Sequence, residues 1–113
     1  MLKVTKEFRK GILFVRLKGI LNKDTVSYLN KEVTKLVADM QIQNVVFNIQ
    51  ELESIDMSGV NALLYNYNLC KDVNGISMLC GVNNNIKDLI NKSSIKDMFQ
   101  IKDELTAYKV IKI

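Results

Sequence analysis

Val45-Val46-Phe47-Asn48-Ile49 leads, through Gln50 to Ser54, into Ile55-Asp56-Met57-Ser58-Gly59-Val60-Asn61-Ala62-Leu63-Leu64. The first run is apolar on both sides, the pattern of a central parallel strand covered on each face. The second carries Val60, Leu63, Leu64 and Tyr67 at helical spacing. An acid, a hydroxyl and a glycine therefore stand where a strand hands over to a helix. Such a junction leaves backbone N–H groups unpaired and directed outward, open to an anion or a partner.

Working outward, Leu2, Val4 and Phe8 alternate with polar residues as in a half-buried strand. Arg9-Lys10-Gly11 reads as a hairpin connection, and Ile12 to Lys18 as a second strand ending at Gly19. Val26, Leu29, Val33, Leu36, Val37 and Met40 then share one face, which predicts an amphipathic helix from Asp24 to Met40 with Asp24 or Asn22 as its cap. A second helix runs from Ser58 to Val73 and closes at Asn74-Gly75. Ile76 to Cys80 is a short buried strand stopped by Gly81, and Asn83-Asn84-Asn85 opens a third helix carrying Ile86, Leu89 and Ile90. Ile95, Met98, Phe99 and Ile101 read as core plugs. Asp103 to Ile113 fits a helix by Leu105, Tyr108 and Ile111, and an edge strand by the alternation of Val110-Ile111-Lys112-Ile113.

This order predicts one α/β domain over residues 1–113: an N-terminal β-hairpin feeding a mostly parallel sheet of roughly four or five strands, packed with about four helices. Right-handed crossovers bring the loops Ile20 to Asp24, Gln50 to Met57 and Gly81 to Asn85 to one sheet edge, where open α/β sheets form binding sites.

Composition narrows the chemistry. The chain has 113 residues, 48% of them hydrophobic, and a net charge of +4. It holds no histidine, which removes Ser-His and Cys-His catalysis and the usual general base near pH 7. Cys70 and Cys80 lack metal-ligand spacing and read as buried structural thiols, so no metal or cofactor is expected. The lysines alternate with acids and there is no tryptophan, which speaks against direct nucleic-acid binding. No apolar run approaches the ~20 residues of a membrane span, and the start lacks a signal peptide, so a cytoplasmic protein without membrane insertion is expected.

At the strand–helix junction, Asp56 or Ser58 caps the second helix, a contribution of about 1 kcal/mol. The residue three after Ser58 is Asn61, so the capping box is incomplete. Gly59 costs about 1 kcal/mol inside a helix relative to Ala, and a close approach by a partner or tight packing of the turn would account for it. A phosphate on Ser58 would add about −1.5 to −2 charges. The helix N-terminus would hold it, Asp56 would repel it, and a partner packed over the turn would lose its contact.

The same residues resemble the STAS domain family, whose pattern is an apolar strand, then Asp-Ser-Ser-Gly, then an apolar helix continuing with Ala-Leu-Leu. Leu17-Lys18-Gly19-Ile20-Leu21-Asn22 resembles the family's strand ending in Gly-x-Leu-Asp, and Met98-Phe99-Gln100-Ile101 its closing apolar segment. Typical members are bacterial anti-sigma-factor antagonists. The resemblance implies a non-enzymatic regulator in which Ser58 accepts phosphate from an anti-sigma factor that is also a serine kinase of the histidine-kinase-like ATPase type. The unphosphorylated form would bind that kinase and release the sigma factor, and a phosphatase would reset it. It also implies a partner surface built from Asn22, Asp24, Asp56, Met57, Gly59, Val60, Asn61, Gly81 and Asn83, and a helix over Asp103 to Val110. Met57, Asn22 and Asn48 depart from the residues usual in the family, a serine and two aspartates. The alternative is a STAS-like accessory or scaffold subunit of a lipid or anion transport complex, without phosphoswitching.

Overall fold

The computed structural model describes residues 1–111, apart from the side chains of Asp97 and Phe99. Strand β1 (Leu2–Arg9) turns at Lys10-Gly11, both at positive φ, into β2 (Ile12–Leu21). Helix α1 covers residues 26–40 as an α-turn (Val26–Leu29), a π-helical stretch (Asn30–Thr34) and an α-helix (Lys35–Met40). Strand β3 (Asn44–Ile55), helix α2 (Met57–Asp72), strand β4 (Ile76–Cys80) and helix α3 (Lys87–Lys92) follow. A 3-10 turn (Ser94–Asp97), strand β5 (Phe99–Ile101), a second 3-10 turn (Glu104–Thr106) and helix α4 (Ala107–Val110) complete the chain.

The sheet order is β1-β2-β3-β4-β5, antiparallel between β1 and β2 and parallel elsewhere. This is the hairpin-fed, mostly parallel sheet expected from the sequence, and the C-terminus takes the helical option. Asp103 sets that helix by accepting from the N–H and hydroxyl of Thr106 at 3.0 and 2.7 Å. Leu105 is exposed, while Ala107 and Ile111 enter the core. Phe99 as a core plug, and the Lys112-Ile113 end of the strand alternative, lie outside the described residues.

One face of the sheet packs on α1, α2 and α3 through Leu29, Val33, Val37, Val60, Leu63 and Ile90. The other is covered by α4, with Ala107 and Ile111 over Ile12, Phe14, Val46 and Met78. Cys70 and Cys80 are free and buried, and burial pushes their thiols up to about 11 and about 12.

Four expectations need correction. Strand β2 does not stop at Gly19 but passes through it to Leu21. Gly19 takes φ +103° at a register shift, where a Cβ would strike the Met1 carbonyl. Strand β3 does not stop at Ile49 but runs to Ile55, so most of the expected Gln50–Met57 loop is strand. Neither Asp24 nor Asn22 caps α1 by accepting from its first turn with a side chain. Instead the Asn22 carbonyl accepts from the N–H of Thr25 and Val26, Thr25 Oγ1 accepts from Asn22 N, and Asp24 is exposed. Finally, Phe8 and Met40 are 60% and 68% exposed, not core.

On the α4 side of the sheet, Arg16 donates from Nε and Nη2 to the two carboxylate oxygens of Glu104 at 2.8 and 2.7 Å. Asn48 Nδ2 donates to the same carboxylate at 2.9 Å. Arg16 and Asn48 together hold the Glu104 carboxyl below its ordinary 4.5. Because the folded value is depressed, the pair's stability is present above about pH 4.5 and is lost as pH falls through the folded value. Glu104→Gln should cost about 1–2 kcal/mol at pH 7 by urea unfolding. The gap to wild type should shrink as the titration is repeated below pH 4.5.

Candidate functional site

Strand β4 ends at Cys80, opposite Asn48, whereas β3 continues beside β2 until Ile55 pairs with Leu21. The start of α2 therefore sits on a two-stranded projection beyond the rest of the sheet. Two register shifts on this stretch put extra residues into β3, and side chains close the groups they free. Asn48 Oδ1 accepts from Gln50 N at 3.1 Å, and Asn83 Nδ2 donates to the carbonyls of Gln50 and Leu52 at 2.9 and 2.8 Å.

Asp56 ends the projection and is the cap of α2. Its Oδ1 accepts from Gly59 N at 3.0 Å and its Oδ2 from Lys23 N at 3.1 Å, while its own N–H donates to the Leu21 carbonyl. Both carboxylate oxygens are thus engaged by backbone, one at the helix start and one in the loop after β2. Asn22 holds that loop from within, accepting from Asp24 N through Oδ1. Gly59 is buried, and a Cβ there would lie 2.7 Å from the Leu21 carbonyl and 2.8 Å from Ile55. Close packing of the turn, not a partner, explains this glycine.

Ser58 is the second residue of α2 and is partly exposed. Among the described residues neither its Oγ nor the backbone N–H of Met57 or Ser58 has a hydrogen-bond partner. Two donors at the positive end of a 16-residue helix thus flank a free hydroxyl. Ser58 opens onto a groove of about 410 Å³ between α1 and α2, bordered by Val26, Asn30, Asn61 and Tyr65. Thr34 forms its floor, donating to Asn30 Oδ1 and accepting from buried Asn66. The groove residues Tyr65, Val26 and Asn30 were not anticipated. Tyr65 follows Ser58 at the spacing that puts i, i+3, i+4 and i+7 on one helix face, a signal present in the sequence.

Of the expected partner-facing residues, the structure brings Asn22, Asp56, Met57, Ser58 and Asn61 together, while Asp24 is exposed beside the hollow that Met1, Leu2 and Tyr28 line. Met57 is 51% exposed beside Ser58. Val60 is fully buried in the core and presents no side chain at the surface. Gly81, at φ +77°, and Asn83 lock the β4–α3 loop against β3 near Gln50. From Gln50, Ile55 is five residues and roughly 15 Å further along the strand, so this loop stands back from the turn. Among the described residues no cluster of three metal-ligating side chains forms, and no helix is long and apolar enough to cross a membrane.

The STAS domain family model matches residues 3–107. The chain is 26% identical to an anti-sigma F factor antagonist of Paenibacillus polymyxa, over 90% of this chain and 87% of that protein. Among solved structures, an anti-sigma factor antagonist from Mycobacterium paratuberculosis superposes with a TM-score of 0.86 at 16% identity, covering 100% of this chain and 96% of the other. The Bacillus cell-fate determinant SpoIIAA matches in its unphosphorylated form (TM-score 0.79, 17% identity, 98% and 100% covered) and its phosphorylated form (0.75, 17%, 96% and 100%).

Two substitutions test the turn. Asp56→Ala should lower stability by about 1–2 kcal/mol in denaturant titration, with Asp56→Asn in between, because its remaining oxygen still accepts one bond. Gly59→Ala, which gains about 1 kcal/mol in an open helix, should instead destabilise this one.

Proposed function

The chain belongs to the STAS domain family, and from that premise we propose that it is a non-enzymatic regulatory binding protein of the anti-sigma-factor-antagonist type, switched by phosphorylation of Ser58. One observation carries the reading: an unpartnered, accessible Ser58 hydroxyl at the positive end of a long helix, on a turn whose Asp56 carboxylate is already engaged by backbone N–H groups. The relatives' names support it, since they are anti-sigma antagonists and one has been solved with and without phosphate.

In this reading the partner is an anti-sigma factor with serine-kinase activity. It docks on the exposed side chains of Asp24, Met57, Ser58 and Asn61, with Tyr65 at the far rim. The kinase supplies the nucleotide and the general base; this chain supplies the hydroxyl. Asp56 holds the turn in place and adds negative charge near the acceptor. Asn22 holds the neighbouring loop in the conformation that borders it. A phosphoryl group on Oγ lies within reach of the Met57 and Ser58 N–H groups, so the modification fits the folded domain. Its bulk and charge then displace the docked partner, and a phosphatase reverses the state.

Incubation with a serine kinase of the anti-sigma-factor type and labelled ATP should modify wild type and leave Ser58→Ala unlabelled. Equal labelling of both would place the acceptor elsewhere, and no labelling of wild type would end the phosphoswitch. Ser58→Asp should abolish kinase binding in pull-down while staying within about 1 kcal/mol of wild-type stability, because the added charge sits at a helix N-terminus.

A further inference from the structure

Beneath the Ser58 groove, α1 and α2 meet through polar side chains. Asn66 of α2 is fully buried and Thr34 of α1 nearly so, at 0% and 8% exposed. Asn66 Nδ2 donates to the Ala62 carbonyl and to Thr34 Oγ1, both at 2.9 Å. Asn66 Oδ1 is left without a partner. A buried acceptor left open lowers stability, and an apolar pair would join the same helices without that loss. The helix is also irregular here: Asn30–Thr34 is π-helical, and such turns are rare and recur at functional sites. Holding α1 against α2 explains neither feature.

The hydrogen bonds at this contact run in one direction. The Ala62 carbonyl can only accept, so the end of the Asn66 amide turned toward it is Nδ2. Thr34 Oγ1 takes a second proton of that NH2 group, and its own proton must go elsewhere. It goes to Asn30 Oδ1, at 3.1 Å. Were the Asn30 amide reversed, the buried Thr34 hydroxyl would face two donors and its proton would have no acceptor. Asn66 and Thr34 therefore fix the sense of the Asn30 amide, with its oxygen against the floor and its nitrogen on the open side. Asn30 is exposed and borders the groove, and among the described residues its Nδ2 has no hydrogen-bond partner.

At this point the groove offers a fixed donor. None of the side chains lining it is charged, so a carboxylate entering it would lose water without gaining a cation. A neutral acceptor meets no such cost. We propose that Asn30 determines specificity for the partner that docks over Ser58, by donating from Nδ2 to a main-chain carbonyl that the partner lays in the groove. This rests on docking over Ser58 as proposed above. The carbonyl-bearing segment packs on Val26, Ala62 and the exposed Tyr65 while Asn30 satisfies its oxygen. Thr34 and Asn66 touch no partner; they are positioning residues that keep the Asn30 amide from turning over. Ser58 opens onto the same groove, so a phosphoryl group on it would compete with that segment for space.

Calorimetric titration of the full chain with the serine kinase that labels Ser58 tests this. Asn30→Asp keeps the shape and the bond from Thr34 but turns an acceptor outward, and should weaken binding by at least about tenfold at an unchanged urea midpoint. Thr34→Val removes the proton that orients Asn30 and should weaken binding about threefold, and Thr34→Ser, which restores that proton, should recover the loss. In the complex, exchange of the Asn30 side-chain NH2 protons should slow by at least about tenfold. Equal or tighter binding of Asn30→Asp would overturn the proposal, the latter because the partner would then present a donor or a cation. So would unchanged exchange at the Asn30 amide, or a Thr34→Ser variant that binds no better than Thr34→Val. A kinase that fails to bind wild type would instead remove the docking over Ser58 itself, and this inference with it.

Discussion

Strand β3 outruns β4, and much of this molecule follows from that inequality. Past Asn48 the strand keeps β2 as its neighbour but has lost β4, so its free side must be closed by other means. Asn83 closes it by taking the carbonyls of Gln50 and Leu52. The projection then delivers Asp56 to a position where one carboxylate ties the helix start to the loop after β2. A shorter β3 would leave Ser58 level with the β4 loop and withdrawn among its neighbours.

Asn48 links the two faces of this arrangement. Its amide oxygen supports the first irregularity of β3, and its amide nitrogen reaches Glu104. Glu104 in turn is held by Arg16 of β2. An aspartate at this position would accept from Gln50 as well but would face the Glu104 carboxylate as a like charge. Asparagine at position 48 and the carboxylate at position 104 therefore belong together.

The fold was largely legible because its buried runs are short, apolar and punctuated by glycine and asparagine. The end of β3 was not, for a specific reason. Each irregularity inserts a residue, so the inward positions Ile49, Leu52 and Ile55 recur every third residue and the alternation of a strand disappears. Gly19 looked like a terminator because a positive-φ glycine marks either a turn or a kink within a strand. The site was legible at Ser58, Asp56 and Met57 from local pattern. It misled at Val60, where proximity in sequence to the turn hid a position on the core face of α2. Phe8 and Met40 matched core periodicities, and periodicity does not reveal that the facing layer ends before it covers them.

The strands lie in the sheet in the order in which they occur in the chain. Each parallel pairing, such as Leu13 with Val45 or Asn44 with Ile76, joins neighbours in sequence, so every closure spans one intervening helix. Loop-closure entropy rises with separation, and the hydrogen bonds that join Arg16 to Glu104 span 88 positions. Emerging from a ribosome, this chain has a landing place for each new strand before the next is made. The Glu104 latch is the piece that must wait for the end of translation.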